Sequence, residues 1–83
     1  MINEDAGVAA IGVHPLPVIF LESRRVLFLE DAGYSLSEIV DVPDKDQVHV
    51  VTWNECWERL TIVIDKKLEE VIAIEKYWNP GCF

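Results

Sequence analysis

The sequence predicts an α+β fold: an N-terminal helix and a short second helix packed on a three-stranded antiparallel sheet. Three observations carry that prediction. Apolar residues recur at helical spacing from Val18 to Ala32. Gly33 and a capping pattern at Ser35–Glu38 follow directly. From Gln47 onward the pattern changes to β-branched runs. With 83 residues the chain holds one small domain, 1–83, and a thin core.

Taken in order, residues 1–7 read as a flexible arm, and Val8–Val13 as a short strand or an apolar arm packed on a neighbour. His14-Pro15-Leu16-Pro17 stops regular structure, because two prolines remove amide donors and push the residues before them to extended geometry. Residues 18–42 read as helical. Phe20, Leu21, Leu27, Phe28 and Ala32 fall near one broad face, with Glu22, Arg24 and Arg25 to the other side. Gly33 suits a left-handed cap, the Ser35 hydroxyl and Glu38 carboxylate suit a capping box, and Pro43 ends the second helix.

Residues 47–78 read as the sheet. The strands are Gln47–Trp53, Arg59–Ile64 and Val71–Tyr77, with a charged turn over Asp65–Glu70. A three-residue loop at Lys66–Leu68 would place Ile62 opposite Ile72, Leu60 opposite Ile74 and Arg59 opposite Glu75, an arrangement favoured by facing charges. Asn54–Trp57 reads as a hairpin loop, with a single helical turn as the alternative.

Leu29, Ala32-Gly33-Tyr34-Ser35-Leu36-Ser37-Glu38-Ile39, within residues 25–40, resembles the helix–turn–helix joint that follows the DNA-reading part of MerR-type regulators. The resemblance implies a local helix–turn–helix. It transfers no residue role and no function, since the DNA-reading helix and basic wing have no counterpart here.

Composition narrows the function. Fifteen acids against seven Lys and Arg give a net charge of −8, while 51% of the chain is hydrophobic. That apolar content excludes disorder. The acidity argues against a nucleic-acid partner, because a polyphosphate demands a basic footprint. Residues 1–47 carry nine acids and three bases, and residues 48–83 six and four, so most of the charge sits in the first half. The most apolar stretch, Val8–Leu21, is interrupted by Gly12, Pro15 and Pro17, whereas a membrane helix needs about 20 apolar residues. No membrane association is expected. Cys56 and Cys82 alone make no disulfide framework, and the N-terminal run is acidic, so a cytoplasmic protein with reduced thiols is expected.

No cofactor, metal site or catalytic residue is indicated. His14, His49, Cys56 and Cys82 lack ligand spacing, and Asp41, Asp44 and Asp46 lack the pattern of a calcium loop. Trp53, Trp57, Tyr77, Trp78 and Phe83 concentrate near the C-terminus. Adjacent Tyr77 and Trp78 on a strand point to opposite faces, so both cannot enter one core. The function expected is therefore a non-enzymatic acidic protein–protein interaction module of inhibitor, immunity or assembly type. Its partner would be a protein with a basic surface or a second copy of the chain, contacted through Trp53, Trp57, Tyr77, Trp78, Asp41, Asp44 and Asp46. The alternative is a small toxin-like or hydrolytic α+β enzyme using His49 and nearby carboxylates.

Overall fold

A computed structural model describes residues 1–30 and 32–82 and contains eight strands in two four-stranded antiparallel sheets. The N-terminal sheet holds β1 (Ile2–Asn3), β2 (Val8–Ala10), β3 (Leu16–Phe20) and β4 (Val26–Leu29), in that order. The C-terminal sheet holds β5 (Ser35–Val42), β6 (Gln47–Trp53), β7 (Arg59–Asp65) and β8 (Glu70–Tyr77), also in chain order. Between β5 and β6 the chain makes one 3-10 turn, Pro43–Lys45, and the described residues contain no α-helix.

The α+β expectation is thus overturned: the described residues form two antiparallel sheets with no α-helix packed on either. The described residues between 18 and 42 form most of β3, all of β4 and β5 and the turns around them, and no helix. The deciding pattern is period two. Leu16, Val18 and Phe20 are buried while Pro17 and Ile19 between them are only partly so. The helical spacing of Phe20, Leu21, Leu27 and Phe28 spans two separate strands joined by a tight turn. In that turn Arg24 takes a left-handed conformation and the Phe20 amide donates to the Arg25 carbonyl. Gly33 is left-handed as its position suggested, with φ 86°, but it leads into a strand and caps no helix. Ser35 and Glu38 lie on β5 with a bulge at Ser37 between them, so the capping pattern and the helix–turn–helix resemblance are both resolved as strand.

Pro17 is tolerated inside β3 because the carbonyl it leaves without a donor is supplied elsewhere: the Ile11 oxygen accepts from the Val13 amide, while Ile11 N–H donates to Pro17. Residues 1–7 are not a free arm. Asn3 donates through Nδ2 to the Ile39 carbonyl of β5, its Oδ1 accepts from the Ala6 amide, and Ala6 is buried.

β6, β7 and β8 are antiparallel neighbours, but β5 adds a fourth strand and the register differs from the expected one. Ile62 faces Ile74, Leu60 faces Lys76 and Arg59 faces Tyr77. Two local events shift it. The Asp65 carboxylate accepts the Lys67 and Leu68 amides and Glu69 turns left-handed, which lengthens the loop by one residue. A bulge at Ile72 then adds one more. Asn54–Trp57 is a hairpin loop: Asn54 Oδ1 accepts from the amides of Cys56 and Glu58.

The sheets face each other. Val8, Ala10, Leu16, Val18, Phe20 and Leu29 from one meet Ile39, Val48, Val50, Ile62 and Ile64 from the other in a single core. The β3–β4 and β7–β8 turns meet at one end, where Ser23 Oγ donates to Glu69 Oε2 at 2.7 Å. The strands of the N-terminal sheet are shorter than those opposite. The far end of the C-terminal sheet, with Trp53, Arg59 and Tyr77 in register across it, therefore projects past the core.

Candidate functional site

The projecting end gathers four of the expected residues, Trp53, Trp57, Tyr77 and Trp78, and adds three that were not expected: Arg59, Lys76 and Tyr34. Strand pairing places Arg59 between Trp53 and Tyr77 on the outer face. Its guanidinium lies 5.8 Å from the Trp53 ring centre and 5.9 Å from that of Tyr77. On the opposite face the Lys76 ammonium sits 4.1 Å from the Trp78 ring and 5.9 Å from Tyr34. Each face of this end thus carries a cation held against aromatic rings, the geometry in which a ring quadrupole attracts positive charge. The alternation of Tyr77 and Trp78 follows from strand pleating. Arg59 was within reach of sequence reasoning, but the two-residue register difference assigned it Glu75 in place of Tyr77.

Trp57 stands on the Asn54–Glu58 loop with its ring edge-on to Trp53 at 6.5 Å. Its backbone is left-handed, with φ 59°, and its amide donates to the Asn54 carbonyl. Asn54 Nδ2 also donates to Glu58 Oε1. A disulfide joins Cys56 of this loop to Cys82, with the Cα atoms 5.4 Å apart. Beside it Asn79 Nδ2 donates to the Cys56 carbonyl. The expectation of two reduced thiols is therefore corrected: β7 and β8 run out and back, and return residue 82 to the loop that holds residue 56. Despite this bracing, Trp57 is 73% exposed, Trp78 68% and Tyr77 53%. A shallow cleft of about 360 Å³, lined by Gly33, Asn54, Glu55 and Cys56, opens next to the disulfide. Phe83, counted with the aromatic set, lies outside the described residues.

Asp41, Asp44 and Asp46 do not join this site. They cluster at the other end of β6, whose seven residues span roughly 20 Å. Asp41 is held by Lys66 at 2.8 Å and Asp46 by Lys67 at 3.7 Å, while Asp44 lies exposed in the 3-10 turn. Acids nearer the aromatic end are Glu38 and Glu75, which border the outer face at the register row of Val51 and Thr61, and Glu55 on the loop.

His49 sits mid-strand on the outer face, paired across to Val40 and Val63, and makes no side-chain hydrogen bond or ion pair among the described residues. The sulfur of Cys56 is in the disulfide, so no thiol faces His49. Among the described residues no group of three or more His, Cys, Asp or Glu side chains converges as metal ligands. No helix is long and apolar enough to cross a membrane. No family model, no curated protein and no solved structure matches the chain.

Proposed function

We propose that the chain is a non-enzymatic protein-interaction module whose aromatic end docks a partner bearing a basic surface. The observation that carries this reading is the exposure of Trp57, Tyr77 and Trp78 on a loop and strand end braced by hydrogen bonds and a disulfide. Rigid exposed aromatics supply large contact area at little ordering cost, which is why Trp and Tyr dominate interface anchors. The chain's own cations at this end, Arg59 and Lys76, are already seated on rings, and Glu38, Glu55 and Glu75 stand beside them. A partner's Lys and Arg side chains would meet the exposed Trp57 ring, which seats neither of those cations, together with the carboxylates. Asp41, Asp44 and Asp46 contribute on this reading through the long-range field of a −8 chain, which speeds encounter with a basic partner. The cytoplasmic setting is not carried forward, because a closed Cys56–Cys82 pair is at home in an oxidising compartment.

The test is a fluorescence titration with an Arg- and Leu-containing peptide and an acidic peptide of equal length as control. The basic peptide should shift tryptophan emission saturably, with affinity reduced by moderate salt and by Trp57→Ala or Trp78→Ala. Equal responses to both peptides, or binding indifferent to salt and to both substitutions, would overturn the proposal.

A further inference from the structure

We infer that the chain self-associates through β4, which pairs antiparallel with β4 of a second copy to join two N-terminal sheets into one eight-stranded sheet. The inference is independent of what the aromatic end binds.

The two sheets have four edges, and three are blunted. β1 is two residues long. β5 is bulged at Ser37, and its Ile39 carbonyl is taken by the Asn3 side chain. β8 is bulged at Ile72 and carries Glu70, Glu75 and Lys76. Short length, bulges and charge are the devices by which sheets resist edge-to-edge pairing. β4, though only four residues long, carries neither a bulge nor a charge within its span. Its sequence is Val26-Leu27-Phe28-Leu29, it pairs with β3 in unbroken register, and Val26 is 42% and Phe28 61% exposed.

Backbone geometry selects the pairing. The Phe20 amide bonds the Arg25 carbonyl, so Phe20 and Arg25 are a hydrogen-bonded pair. In an antiparallel ladder such pairs alternate, so Leu27 and Leu29 bond inward to β3. The amides and carbonyls of Val26 and Phe28 consequently point to the open edge. A twofold axis at Leu27 sets Val26 of one copy opposite Phe28 of the other, twice, and all four outward donors and four outward acceptors find partners. The same register brings Arg24, in the left-handed turn just before β4, near Glu30, just past β4, of the second copy. Arg24 makes no ion pair among the described residues, and Glu30 meets only His14, at 3.8 Å and mostly exposed. The basic residue before this strand and the acidic residue after it are therefore complementary when two copies run antiparallel. On the outer face the Phe28 ring packs on Val26 of the second copy. It extends an uncharged row in which Ile2, Ala9, Ile19 and Val26 already lie side by side.

Sedimentation velocity over a concentration series tests this, at about 0.2 M salt so that repulsion between two acidic copies is screened. The 9.5 kDa chain should approach a dimer, with a dissociation constant on the order of 100 µM for so short an edge. Phe28→Lys should abolish dimers yet keep the strand content seen by circular dichroism and the peptide response of the aromatic end. Arg24→Glu and Glu30→Arg, both at exposed positions, should each weaken dimers about tenfold, since each creates two facing like-charge pairs. Mixing these two variants should restore dimers, because both facing pairs then become attractive. A chain that stays monomeric throughout overturns the inference. So do dimers untouched by Phe28→Lys, or a mixture no tighter than either charge variant alone.

Discussion

The two sheets share a core and differ in everything outside it. Strands of the N-terminal sheet have two to five residues, and no Asp, Glu, Lys or Arg lies within β1 to β4. Those of the C-terminal sheet have seven or eight, carry charge at both edges, and run on past the core into the aromatic end. The shorter sheet behaves as a lid that dries one half of the longer one. What the longer sheet does with its uncovered half is free to serve recognition, because the buried half already supplies the packing. The lid has its own uncovered side, an apolar outer face and one unprotected edge.

Breaking the shared core should have one of the two largest effects. Leu16 is almost fully buried at the start of β3, and Leu16→Ala should cost about 3 kcal/mol in denaturant unfolding, a large share of the stability of an 83-residue domain. Ile64→Ala on the opposite sheet should cost a similar amount. A marked difference between the two would show that one sheet holds together without the other.

The disulfide is comparable. It closes a sequence separation of 26 residues, for which chain entropy sets a stabilisation of about 3.5 kcal/mol. Replacing both cysteines by serine should lower the unfolding midpoint accordingly. It should also loosen the Trp57 loop, read as faster amide exchange over residues 54–58 than in the core strands.

Smaller effects separate covered from uncovered polar groups. The Thr52 hydroxyl is fully buried and donates to the Leu60 carbonyl at 2.9 Å. Thr52→Val should cost about 1 kcal/mol in the same unfolding assay. Trp57→Ala, by contrast, should leave stability within about 0.5 kcal/mol while weakening peptide binding by about tenfold or more. If Trp57→Ala proved as destabilising as the core substitutions, the projecting end would belong to the core and the comparison would fail.

How much of this was legible depended on whether the signal was local. Gln47–Trp53 and Arg59–Ile64 are dense in β-branched residues and bounded by turn chemistry, and both are strands. β3 and β4 are equally rich in Val, Leu, Ile and Phe. Their apolar residues happen to fall at helical intervals when read through the intervening turn, and four- and five-residue strands offer few residues to outvote that coincidence. The register of β8 was missed because a bulge and a left-handed Glu69 are set by backbone geometry that no side-chain pattern announces. Of the site, the aromatic residues and the opposed directions of Tyr77 and Trp78 were readable. The cation seats of Arg59 and Lys76 were not, since they depend on that register. The separation of the aspartates was readable too, since the strand expected at Gln47–Trp53 by itself sets Asp46 and the aromatic end roughly 20 Å apart.

By itself the sequence determined the acidity, the aromatic concentration near the C-terminus, and the extended preference of its β-branched runs. These are properties of residues and their immediate neighbours. Tertiary structure decided that a short sheet covers only part of a long one, that residues 56 and 82 meet, and that β4 is left as the open edge. Those outcomes follow from strand order and strand length, which arise when distant segments compete to cover the same apolar surface.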